Sequence, residues 1–117
     1  MENQERFIFE DLRVYRRALD FSLQLIKVAI VLPREYGRIR DQVIGAASSI
    51  PLNLAEGSGR VTEKDKKNFY RMARASAFEL VPLLDILYEF QFVDKALREQ
   101  FRKEVVEISK ILATLMR

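Results

Sequence analysis

The sequence predicts an all-α fold, an antiparallel up-and-down four-helix bundle whose second helix carries a proline kink, and three observations lead there. Apolar residues recur at three- and four-residue steps in four successive segments. Alternating strand patterns and hairpin dipeptides are absent. Pro51 stands inside the stretch Ser48 to Gly57, and the apolar spacing continues across it. That proline has no N–H for the carbonyl of Ala47 and its ring crowds the same carbonyl, a cost of about 3 kcal/mol that packing must offset. Short connections make sequential helices antiparallel, so the bundle is the simplest closure.

Helix one is expected from an N-cap at Asp11 to about Leu32, with Pro33 as its stop. It carries two apolar stripes. Leu12, Tyr15, Leu19, Ile26 and Ala29 form the first, and Val14, Ala18, Phe21, Leu25, Val28 and Leu32 the second. One stripe serves a monomer core; the second predicts a partner. Helix two starts near Arg38, turns Ile39, Val43, Ala46 or Ala47, Ile50 and Leu54 inward, and stops at Gly57 as a left-handed C-cap. Thr62-Glu63-Lys64-Asp65 opens helix three, the threonine serving the N3 amide. Its inner side reads Phe69, Met72, Ala73, Ser76, Leu80, Leu83, Leu84 and Leu87, and Pro82 predicts a bend or a break near Phe78. After a short connection at Gln91 to Val93, Asp94 caps helix four, whose seam is Leu97, Phe101, Val105, Ile108, Leu112 and Leu115.

Composition narrows the chemistry. The 117 residues suit one domain, residues 1–117, with 1–8 flexible. The chain has no cysteine and no histidine. Disulfides, thiol nucleophiles, the usual zinc sites and imidazole acid–base chemistry drop out together, so we expect no enzyme, no cofactor and no metal. The polar, acidic start lacks the pattern of a signal peptide, and the longest apolar run, Val28 to Leu32, is far short of a membrane span. A cytoplasmic protein without membrane contact is expected. Net charge is +3 and the sequence pI about 9.3. Charge is unevenly spread: from Ala75 to Asp94 the only charged residues are Glu79, Asp85, Glu89 and Asp94, and basic residues dominate on both sides.

Three groups of residues invite a functional reading. Gln42, Ser49, Asn53 and Glu56 draw a polar line along helix two. Ser49 and Asn53 suit backbone groups freed by Pro51, and Glu56 suits a basic partner, so Ser49, Pro51, Asn53, Glu56 and Gly57 form a structural motif rather than a catalytic row. Glu56, Glu79, Glu104 and Glu107 do not make a di-iron site, which would also need Glu-x-x-His pairs. Arg60, Lys64, Lys66, Lys67, Arg71 and Arg74 cluster around the start of helix three, and Arg13, Arg16 and Arg17 on helix one extend the surface. Lys67, Arg71 and Arg74 share a face able to track phosphates. The competing reading is a solvated face with Glu63 and Asp65 as ion-pair partners. No base-reading motif accompanies the basic residues. Aromatics at helical spacing read as core, and Tyr70, beside Arg71 and Arg74, is the one candidate for stacking on a base.

One string ties these parts together: Phe9-Glu10-Asp11-Leu12, Ala18, Leu32-Pro33-Arg34-Glu35-Tyr36-Gly37, Gln42, Ala46-Ala47-Ser48-Ser49-Ile50-Pro51, Asn53-Leu54-Ala55-Glu56-Gly57 and Glu79-Leu80. It resembles the bacterial four-helix bundle family encoded by intervening sequences in 23S ribosomal RNA genes, and the accessory proteins of diversity-generating retroelements look similar in fold. The resemblance implies a homo-oligomer, a pentameric ring of bundles with a basic surface. It also implies RNA or DNA as partner and, through the retroelement proteins, a nucleic-acid enzyme. Two departures stand out: Gly45 lies where that family commonly has an arginine, and Ala75-Ser76-Ala77-Phe78 replaces a Gly-Ser before the Glu-Leu pair. The expected function is therefore non-enzymatic binding through basic surface without sequence readout. The alternative is a structural or protein-interaction ring with no nucleic-acid partner.

Overall fold

Four α-helices account for the fold of the computed structural model, which describes residues 7–117, the side chain of residue 11 excepted. They are α1, Arg13–Ala29; α2, Gly37–Ser58; α3, Glu63–Glu89; and α4, Lys95–Leu115. Short 3-10 turns, Ile8–Asp11 and Arg34–Tyr36, precede α1 and α2. Among the described residues there is no strand. Packing follows chain order around the bundle: α1 on α2, α2 on α3, α3 on α4, and a lighter α4–α1 seam, with no close approach across either diagonal. The cross-links run antiparallel, as in Arg17 to Glu104 and Phe21 to Phe101 between α1 and α4. The expected flexibility of residues 1–8 lies for residues 1–6 outside the described residues; Ile8 belongs to the first 3-10 turn.

Several helix signals work as their chemistry requires. Thr62 Oγ1 accepts from the amide of Asp65 at 3.2 Å, and Asp94 Oδ1 accepts from that of Leu97 at 2.8 Å. The inner faces of α2 and α4 bury the expected Val43, Ala46, Ala47, Ile50, Leu54, Phe101, Val105, Ile108 and Leu112. In α3 Leu80, Leu83, Leu84 and Leu87 are buried, but Met72 is exposed, and Tyr70 and Ala77 take core places instead.

Other expectations need correction. The N-cap of α1 is Leu12 rather than Asp11, which ends the preceding 3-10 turn. The two stripes of α1 exchange roles. Val14, Ala18, Phe21, Leu25 and Leu32 are core of the monomer, and Leu12, Tyr15 and Ile26 pack half-buried on its margin. The second stripe therefore does not require a partner. Exposed apolar area on and just after α1 lies at Leu23, Ile30 and Val31.

Both interior prolines are carried inside continuous helices, so no break forms near Phe78. At Pro51 the orphaned carbonyl is that of Ala47, yet the Asn53 side chain donates to the carbonyl of Ser49, at 2.8 Å. Asn53 Nδ2 also donates to Ser49 Oγ at 2.8 Å, and Ser76 Oγ of α3 donates to the same oxygen at 2.7 Å. Within the polar line Ser49 and Asn53 thus form a cross-link from α2 to α3 through Ser76 rather than a repair of the proline's orphan.

Gly57 is not a left-handed cap. It is buried in the last turn of α2, no glycine among the described residues has positive φ, and α2 runs on to Ser58. A Cβ there would meet Phe69 Cβ and Tyr70 Cε1, each at 2.9 Å. The residue is small because α3 passes over it. The left-handed position falls instead on Gln91, φ 64°, after α3. Its N–H donates to Tyr88 O at 2.9 Å and that of Phe92 to Leu87 O at 2.8 Å, the paired closure of a Schellman motif.

Candidate nucleic-acid interface

Because α1 and α3 run in the same direction, their first turns lie at one end of the bundle, and this is where the basic candidates gather. They sit on two separate helices, since α1 and α3 make no close contact. The continuous group is on α3, where the Thr62 cap fixes the start of the helix and leaves Lys64 exposed and Lys66 and Lys67 half-buried. Among the described residues Lys64, Lys66 and Lys67 have no carboxylate partner within ion-pair distance. Arg71 is exposed and its Nη1 donates to a neutral acceptor, Asn68 Oδ1, at 2.9 Å. Glu63 and Asp65, the expected ion-pair partners, hold none of these cations.

Arg17, Arg60 and Arg74 are less available. Arg17 is clamped by Glu104 through two bonds of 2.6 and 2.9 Å, which raise the guanidinium pKa further above its ordinary value. That pair staples α1 to α4 along their light seam. Arg60 reaches Glu56 at 2.8 Å and lies 4.5 Å over the Phe69 ring, so Glu56 has the basic partner its position suggested. Arg74 is half-buried with its guanidinium 4.5 Å over Phe78. Arg13 and Arg16 are exposed on α1, and Arg16 Nε donates to the carbonyl of Glu10 at 3.1 Å.

Tyr70, the candidate for stacking on a base, is buried against α2 and presents no ring face to a ligand. Burial, with the Glu63 charge adding, pushes its phenol above the ordinary tyrosine value. Sequence reasoning also missed two features. Arg74 and Phe78 stand four apart on one helical face, a spacing that signals contact and was available in the sequence. The bridge from Arg98 to Asp85, 2.6 Å between α4 and α3, joins helices and has no local signal. Among the described residues no group of three or more histidine, cysteine, aspartate or glutamate side chains is placed to hold a metal, and no helix is long and apolar enough to cross a membrane.

Comparison with known proteins agrees with this fold. A solved structure of a protein of unknown function from the S23 ribosomal protein family of Bacteroides thetaiotaomicron superposes with a TM-score of 0.81 at 21% identity, over 89% of this chain and 98% of that one. At that identity the likeness speaks to the fold alone. No curated protein matches the sequence. The family model described as 23S rRNA-intervening sequence protein matches residues 10–114. A match over nearly the whole bundle settles membership: the chain belongs to the 23S rRNA-intervening sequence protein family.

Proposed function

We propose that this chain is a cytoplasmic, non-enzymatic protein that binds RNA or DNA through backbone phosphates, without reading base sequence. The observation that carries the reading is the first half of α3, where Lys64, Lys66, Lys67 and Arg71 stand, among the described residues, without carboxylate partners on one stiff helix. Cations already matched within the protein gain little from a phosphate, whereas unpaired ones release counterions from it. Arg13 and Arg16, at the same end of the bundle, extend the surface. Assembly as a homo-oligomer, a pentamer as the family resemblance implies, would repeat this surface and raise its avidity.

The test is binding of an unrelated duplex and an unrelated single-stranded RNA across salt. Each phosphate contact adds about −0.9 to the slope of log K against log salt for duplex DNA and about −0.7 for single strands. Replacing Lys64, Lys66, Lys67 and Arg71 by glutamine should flatten the duplex slope by about 3 to 4. Binding that ignores salt, or a slope unchanged in the fourfold variant, refutes the proposal. Light scattering at micromolar concentration reads the assembly separately.

A further inference from the structure

The groove between α3 and α4 has a composition the basic surface does not explain. It is open to solvent along its length and holds about 530 Å³, within the usual range of about 300–1,000 Å³ for small-molecule sites. Phe78, Val81 and Pro82 form one wall and Val105 and Val106 the other. Phe78 is 50% exposed and Val106 44%, so large apolar side chains face water here. Two residues of this lining carry buried polar atoms without a hydrogen-bond partner among the described residues, Arg74 Nε and Ser109 Oγ, the serine residue being only 7% exposed. Lys110 stands at the rim. Among the described residues Arg74 makes no ion pair with a carboxylate; its guanidinium rests on Phe78.

We propose that this groove binds a small amphiphilic carboxylate of the fatty-acid type. Buried donors without acceptors are costly, and a carboxylate supplies acceptor oxygens and the missing negative charge together. Antiparallel packing places Arg74 and Lys110 toward one end and Pro82 and Val105 toward the other, so a head group at the first end lays its chain along the apolar walls. From Arg74 to Pro82 the groove runs about 12 Å at about 1.5 Å per residue. That is long enough for a medium-length acyl chain and too short to seat several turns of a partner helix. To take the carboxylate, the guanidinium swings from the Phe78 ring, whose apolar face then meets the chain. The proposal stands apart from nucleic-acid binding, because it uses none of Lys64, Lys66, Lys67 and Arg71.

Octanoate titrated into the full chain tests it, with 1-octanol as the neutral equivalent. Saturable binding of octanoate, one per chain, is expected by calorimetry, with amide shifts confined to residues 74–82 and 105–113. Octanol should bind about tenfold more weakly, and Arg74→Met, which keeps an apolar stem on Phe78, should lose octanoate by about the same factor. Val106→Glu should abolish binding while helicity is retained. Equal affinity for octanol and octanoate, shifts elsewhere in the bundle, or no binding at millimolar octanoate would each overturn the proposal. So would light scattering in which Val106→Glu splits an oligomer, since the groove would then be a contact between copies. The shift map on the unaltered chain keeps the test open if a variant fails to fold.

Discussion

Replacing Gly57 by alanine separates two accounts of why a glycine ends α2. Inside a helix the change by itself is worth about 1 kcal/mol in favour of alanine. Here the new methyl would lie 2.9 Å from Phe69 Cβ and 2.9 Å from Tyr70 Cε1. The tyrosine ring is buried, and a Cβ moves only with its backbone, so α2 and α3 must part. Overpacking of this kind costs about 1–3 kcal/mol, and contact with two such groups belongs in the upper part of that range. The balance is a loss of about 1–2 kcal/mol. For 117 residues, at about 2.1 cal/mol/K each, that lowers the melting temperature by about 4–8 °C. Gly45 is the internal control, since a Cβ there meets nothing within 4 Å. Gly45→Ala should raise the melting temperature by about 3–4 °C. Thermal melts followed by circular dichroism at 222 nm read both. A left-handed cap would tolerate asparagine better than alanine, whereas steric crowding ranks Gly57→Asn below Gly57→Ala. Stabilisation by Gly57→Ala, or the opposite ranking, would refute the close-approach account.

Three further outcomes follow from local geometry. Gln91→Gly should stabilise by about 0.5–1 kcal/mol in urea titration, because a side chain at φ 64° is strained and glycine is not. Ser76→Ala removes the bond to Ser49 and should cost about 1 kcal/mol, with Ser49→Ala and the double variant in a cycle showing non-additivity. Burial raises the Tyr70 phenol above its unfolded value of 10.0, so its contribution is whole below about pH 10 and is lost as pH climbs through the raised value. The stability of Tyr70→Phe should therefore fall less than that of the unaltered chain above pH 10, and parallel pH profiles would contradict the assignment.

How far the fold could be read ahead of the structure depended on whether the signal was local. Caps at Thr62 and Asp94 involve a side chain and an amide three residues on, and both were legible. The seam of α4 was legible because every residue on it has one partner surface. On α1 two stripes of similar strength compete, and only the placement of α2 and α4 decides that Val14, Phe21 and Leu25 go inward. Gly57 shows the same limit. A glycine near a helix end is locally indistinguishable from a cap, and the Tyr70 ring that explains it comes from the next helix. The basic cluster was visible as composition, but pairing was not: Glu104 lies 87 residues from the Arg17 it neutralises.

Arg74 marks where two surfaces divide. On sequence it continues the row Lys67, Arg71, Arg74, and a phosphate-tracking face would use all three. In the fold its guanidinium leaves that row for the Phe78 ring, and its Nε is buried beside the α3–α4 groove. Drawing it back into solvent toward a phosphate would forfeit a cation–π contact of about 0.5–1 kcal/mol or more, against a screened attraction of similar size. On the proposed readings the phosphate face therefore ends at Arg71, and Arg74 serves the groove. Arg74→Met should leave the salt slope of nucleic-acid binding within about 0.5 of its original value while weakening octanoate, and Arg71→Gln should do the reverse. A slope that flattens by about 0.9 in Arg74→Met would return the residue to the basic row and remove the charge on which the groove depends.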